Sequence, residues 1–214
     1  MKVVPSLLAE QIDVFMARVR QAERLTDYVQ IDLMDGIFVP TQSLLPEEVN
    51  GMETSLSFEV HLMVKDPLRA MNGMAHPGLK KVIFHFESEV HSRDFIGTME
   101  GRELGVGLAI KPETEIDACV EAAERVGTLL FLAVNPGRYG SPFLPEVVEK
   151  ILRARKRFPE KTIAVDGGVS LDNLGKFYEI GVDYVCVGSR IFLKGDPVEN
   201  YRLFEEKVKE LESG

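Results

Sequence analysis

Tryptophan is missing from this sequence, cysteine occurs twice, and nowhere do about 18 uncharged apolar residues follow one another. Cys119 and Cys186 sit in separate apolar segments with no CxxC or metal-type spacing, so a disulfide framework and a zinc finger are both out of reach. Reduced, buried thiols are the expectation. Without a long apolar run no membrane partner is expected. The opening MKVVPSLLAEQ also has neither the h-region of a signal peptide nor the Arg/Ser-rich pattern of a transit peptide, which points to the cytoplasm. Neither GxGxxG nor GxxxxGK[ST] occurs, so dinucleotide and nucleoside-triphosphate cofactors have no support. Basic residues are outnumbered, 25 against 34 acidic ones, for a net charge of −9. Such a chain offers no basic face to nucleic acid, so no nucleic-acid partner is expected, and an anionic small molecule has to be held by local groups. No Pro/Gly/Ser-rich linker interrupts the chain, which predicts one domain over residues 1–214.

Short runs rich in Val, Ile and Phe alternate with amphipathic stretches throughout. The strand candidates are Lys2–Leu8, Tyr28–Leu33, Ser57–Met63, Lys81–Phe86, Val106–Ile110, Thr128–Val134, Thr162–Val165 and Tyr184–Val187. Each is almost continuously apolar, as strands covered on both faces are. Ile12, Phe15, Met16, Val19 and Leu25 form one helical stripe, and Ile116, Cys119, Val120, Ala123 and Val126 another. Asp66, Ser170 and Asp196 stand where N-caps belong. Eight βα units in 214 residues, about 27 residues each, predict a compact (β/α)8 TIM barrel. The irregular stretch from Gly36 to Glu47 is placed to act as a lid.

In a barrel of this kind the site is built at the C-terminal ends of the strands. Polar residues expected there are Ser6, Gln30, Asp32, Asp35, Glu59, His61, His85, Lys111, Asn135 and Asp166. Alternation turns Gln30 and Asp32 inward together, with His61 and Asp166 facing them across the mouth. Two carboxylates and an imidazole suit a divalent cation or proton transfer. Taken singly, each has a plainer reading, as a turn former, a cap or a satisfied core histidine. The Gly-bearing turns NPGRYG, DGG and VGS after strands six, seven and eight expose backbone N–H groups of the kind that cradle phosphate, although glycines there also serve tight turns. His76 and His91 are assigned to solvent, and Met16, Met71, Met74 and Met99 to packing.

The segments PSLL (5–8), IDLMDGIFVP (31–40), HLMV (61–64), FHFES (84–88), AIKPET (109–114), VNPGRYGSPF (134–143), VDGGV (165–169) and VGSRIF (187–192) together resemble the ribulose-phosphate 3-epimerase family over essentially the whole length. That resemblance implies a ribulose-phosphate-binding barrel, an isomerase acting on a phosphorylated ketose, and one divalent metal ion (Zn, Fe, Mn or Co). It implies Asp32 and Asp166 as the acid/base pair and, with His61, as metal ligands. Ser6, His61 and Met34 are implied for the sugar, and Gly137, Gly140, Gly167, Gly168, Gly188 and Ser189 for the phosphate. A homo-oligomer is expected as well.

The chain departs from the family pattern at three places. Gln30 stands where the family has a second metal-binding His, which predicts weaker binding or a shift toward oxygen-preferring metals. Ile37 and Thr41 replace polar residues of the loop after strand two, and Arg138 and Tyr139 stand in a usually glycine-rich loop. Arg138 either contacts phosphate or lies in solvent. The reaction expected is interconversion of D-ribulose 5-phosphate and D-xylulose 5-phosphate. The alternatives are an epimerase or isomerase for another ketose phosphate, or a non-catalytic phosphosugar-binding protein. A decarboxylase of the orotidine-phosphate type is disfavoured, because its DxKxxD pattern needs Lys where Met34 stands.

Overall fold

Strands buried on both faces need a crossover helix after each, and the computed structural model, which describes residues 1–137 and 140–214, has that organisation. Eight strands, β1 (Lys2–Leu7), β2 (Tyr28–Met34), β3 (Ser57–Met63), β4 (Leu79–His85), β5 (Gly105–Ile110), β6 (Thr128–Leu132), β7 (Thr162–Asp166) and β8 (Tyr184–Val187), close in sequence order into a parallel barrel. The helices are α1 (Ile12–Ala22), α2 (Pro46–Asn50), α3 (Pro67–Asn72), α4 (Ser92–Glu100), α5 (Val120–Arg125, preceded by a 3-10 turn over Ile116–Cys119), α6 (Val147–Arg157), α7 (Leu174–Glu179), α8 (Ser189–Phe192) and α9 (Pro197–Ser213). The architecture is the (β/α)8 barrel expected from the alternation.

The large core lies between the strands and the helices, where Phe15, Phe58, Phe84, Phe95, Phe131 and Phe177 are fully buried. Inside the barrel the side chains form layers. Val4, Ile83, Ala109, Leu130, Leu132, Ala164 and Cys186 form an apolar cluster inside the barrel, with polar side chains toward each end. Cys119 and Cys186 are free, buried thiols, as expected.

Local signals mostly hold. The Asp66 carboxylate accepts from Arg69 N, and the Asp196 carboxylate from Val198 N, each one residue before a proline that opens the helix. Ser170 is a correction. Its carbonyl accepts from Asn173 N and Leu174 N while its own N donates to Asn173 Oδ1, so it opens a turn that precedes α7 and its hydroxyl caps nothing there. Ile12 opens α1 and stays exposed, so the buried stripe begins at Phe15. β6 ends at Leu132 and not Val134, because the chain turns away through Pro136, which has no N–H, and Gly137 at φ +104°. β7 runs one residue further than expected and carries Asp166 inside the ladder, opposite Leu132 and Cys186. Among the described residues no helix is long and apolar enough to cross a membrane.

Candidate active site

Strand register does most of the assembly. Asp32 on β2 is paired with His61 on β3, so His61 flanks Asp32 instead of facing it across the mouth, and Ser6 on β1 is paired with Gln30. His61 Nδ1 lies 3.1 Å from Asp32 Oδ1 and 3.2 Å from Asp166 Oδ2. Gln30 Nε2 donates to the same two oxygens, at 3.0 and 3.1 Å, and its Oε1 accepts from Cys186 Sγ at 3.1 Å. Ser6 Oγ donates to the other oxygen of Asp32 at 2.6 Å. All six side chains are buried, which removes the screening that water would provide.

Behind His61 stands a second pair. His61 Nε2 is 3.0 Å from His85 Nε2, and His85 Nδ1 is 3.1 Å from Glu87 Oε2. Since Glu87 accepts, His85 carries its proton on Nδ1 and offers an Nε2 lone pair to His61 Nε2–H. His61 Nδ1 is thereby turned to the carboxylates. Electrostatics follow the same layout. Burial raises the Asp32 pKa, and the Asp166 charge beside it adds to the effect. Burial alone lowers His61, but its hydrogen bonds to Asp166 and Asp32 outweigh this and hold it at about 9. Burial lowers His85 to about 4, outweighing its hydrogen bond to Glu87. Glu87 is raised by burial but falls to about 2 through hydrogen bonds led by that from His85.

The neighbouring strand ends supply a different surface. Gly137, Gly140, Gly167, Gly168, Gly188 and Ser189 line the same cavity as Ser6, Asp32, Met34 and Asp166. Gly167 at φ +90° and Gly168 at φ +66° occupy a region that side chains disfavour, and a Cβ on Gly168 would stand 2.8 Å from Phe143 Cα. The turn is therefore tied to glycine and keeps its backbone close to the cavity. Met34 packs with Leu8, Val39 and Met63 as an apolar wall. Thr41 Oγ1 donates to the Gly137 carbonyl, which fastens the loop after β2 to the loop after β6. Phe38 of the same loop lies against the His85 ring at 4.8 Å, and Lys111 Nζ sits 3.9 Å from the Phe38 ring centre.

Other residues fall elsewhere. Glu59 is at the opposite end of the barrel, bound to Lys81, Tyr28 and Tyr184. Asp35 is a turn former, its carboxylate accepting from the N–H groups of Ile37, Phe38 and Lys65. Asn135 is exposed, and Ile37 is 70 % exposed outside the cavity. His76 is not a solvated residue: its ring meets the Met52 carbonyl and accepts from Gly78 N. Arg138 and Tyr139 lie outside the described residues. Glu87, Cys186, Met63 and Arg190, the last lining the cavity, were missed from sequence. The alternation FHFES, with His85 and Glu87 two apart, was the available sign for Glu87.

Asp32, His61 and Asp166 offer ligand atoms within 4.8 Å of one another, all buried. Two carboxylate oxygens and an imidazole nitrogen backed by a hydrogen-bonded partner form a donor set that fits a divalent cation.

The ribulose-phosphate 3 epimerase family model matches residues 2–192. The chain belongs to that family. A ribulose-phosphate 3-epimerase of Schizosaccharomyces pombe is 30% identical, covering 92% of this chain and 90% of its own. One from Helicobacter pylori is 33% identical over 92% and 93%, and a cytoplasmic isoform from Oryza sativa 30% identical over 97% and 94%. Among solved structures, 3-hexulose-6-phosphate synthase from Salmonella typhimurium superposes with a TM-score of 0.71 at 15% identity, covering 99% of this chain and 100% of its own. Orotidine 5'-monophosphate decarboxylase from Sulfolobus solfataricus gives 0.66 at 11%, covering 98% of each chain. These two share the fold.

Proposed function

We propose that this chain is an isomerase that interconverts D-ribulose 5-phosphate and D-xylulose 5-phosphate by moving a proton at C3 between two carboxylates. The observation that carries this reading is the Asp32–Asp166 pair: two buried acids from β2 and β7, joined through shared partners and bordered by a glycine-lined surface. Inversion needs one group to take the proton from one face and another to return it on the other. Asp32, with its pKa raised, is suited to hold a proton on one face, Asp166 serves the other face, and the roles exchange in the reverse direction. The Ser6 hydroxyl fixes the Asp32 carboxylate, and Met34 and Met63 form the apolar wall against the sugar. The backbone N–H groups about Gly137, Gly140, Gly167, Gly168, Gly188 and Ser189 receive the phosphate without a cluster of cations, as the acidic composition requires. Asp32, His61 and Asp166 would hold a divalent ion, which when bound polarises the carbonyl next to C3. The setting we infer is cytoplasmic, as for the rice isoform.

The test is NMR of D-ribulose 5-phosphate incubated with the protein in D₂O, with Zn²⁺, Mn²⁺, Fe²⁺ or Co²⁺ supplied. Xylulose 5-phosphate carrying deuterium at C3 is the expected product. Unchanged substrate with every ion would remove the ribulose assignment.

A further inference from the structure

The family resemblance implies imidazole at position 30, and this chain has an amide there. Its surroundings give that amide a definite task. Gln30 Nε2 lies 3.0 and 3.1 Å from Asp32 Oδ1 and Asp166 Oδ2, and His61 Nδ1 lies 3.1 and 3.2 Å from the same atoms. A tetrahedron around a small divalent ion with bonds of about 2.1 Å has edges of about 3.4 Å. The outer end of Gln30 thus stands where a fourth ligand belongs, with a nitrogen that cannot ligate.

The two ends of a carboxamide have nearly the same shape, so half a turn of the terminal torsion exchanges O for N without needing new space. Cys186 Sγ accommodates either end, because a thiol is both a weak donor and a weak acceptor. The carboxylates do not. Turning Oε1 toward them sets three oxygens together, which is unfavourable until a cation lies among them. With nitrogen inward the amide braces the two acids; with oxygen inward it completes a set of three oxygens and one nitrogen.

We propose that Gln30 is the cation-specificity residue of this site. Its amide changes from brace to oxygen ligand when a divalent ion enters, and the resulting donor set favours Mn²⁺-type ions over Zn²⁺ relative to a two-imidazole site. This rests on the reading that Asp32, His61 and Asp166 hold the ion. Calorimetric titration of the cation-stripped protein and of Gln30→His with Zn²⁺ and Mn²⁺ tests it. The substitution is expected to strengthen Zn²⁺ binding by about 10–100-fold and to change Mn²⁺ binding far less. In the unaltered protein, Mg²⁺ is expected to move the ¹H–¹⁵N side-chain amide signals of Gln30, a readout independent of whether the variant folds. An unchanged Zn²⁺/Mn²⁺ preference in a folded Gln30→His protein, or Gln30 amide signals that stay in place at saturating Mg²⁺, would overturn the proposal. Neither readout involves turnover. A chain that behaves as described yet leaves C3 of ribulose 5-phosphate untouched contradicts the proposed reaction and not the role of Gln30.

Discussion

The barrel holds a polar layer at each end, and the two are built on opposite electrostatic terms. At the N-terminal end one carboxylate, Glu59, meets the Lys81 ammonium at 2.9 Å and accepts from the Tyr28 hydroxyl at 3.0 Å and the Tyr184 hydroxyl at 3.0 and 3.1 Å. Every polar group there has a partner of suitable sign. At the C-terminal end two carboxylates share one imidazole, an amide and a hydroxyl. Carboxylates outnumber basic side chains there, although neither layer leaves a buried polar side-chain atom without a hydrogen bond among the described residues. A matched cluster serves stability, whereas an under-compensated pair of acids is ready to take a cation or a proton. The carboxylates are buried at both ends, so the ratio of acids to bases marks the reactive one.

That contrast can be broken from either side. Asp166→Asn at the upper layer is expected to lower the rate of epimer formation by about 10²–10⁴-fold. Its thermal midpoint should move little, because an excess charge leaves; NMR assay and calorimetry measure the two effects. Glu87→Gln weakens the partner that orients His85 and, through it, His61. Cation affinity should fall by about 10–100-fold in a direct titration. At the lower layer the order of effects inverts. Glu59→Gln leaves Lys81 without its counter-charge and should cost about 1–3 kcal/mol in denaturant unfolding, with kcat and KM unchanged.

A further contrast is expected in the pH dependence of stability. Burial, then Glu59, raises the pKa of the Tyr28 and Tyr184 phenols. The native state therefore keeps protons that the unfolded chain releases near pH 10, and stability should decline as pH rises above about 10. His85 has the opposite sign. Held at about 4, it stays neutral while the unfolded histidine takes a proton near 6.5, so stability declines as pH falls from about 6.5 toward 4. Melting temperatures between pH 4 and 11 for the parent, Tyr184→Phe and His85→Gln separate the two limbs.

The strand order and the inward pairing of Gln30 with Asp32 were legible because period-two alternation and continuous burial leave a direct trace in the residues. The convergence of Asp32, His61 and Asp166 followed from their places near strand ends once the barrel was assumed. Glu59 escaped that logic. An inward-facing polar residue near the start of a strand and one near its end read alike in sequence, and only the contacts of Glu59 with Tyr28, Tyr184 and Lys81 show which end is meant. The orientation of the Gln30 amide depends on contacts between separate strands, which no spacing within one segment reports. His76 was misjudged for the same reason, since its partner Met52 is distant in sequence.

The most direct test of the two-acid account is deuterium uptake at C3, followed by NMR from each epimer separately, for the parent protein, Asp32→Asn and Asp166→Asn. The account predicts that the parent incorporates deuterium into the opposite epimer and that each single variant forms that epimer about 10²–10⁴-fold more slowly. Undiminished epimer formation in either variant would contradict it.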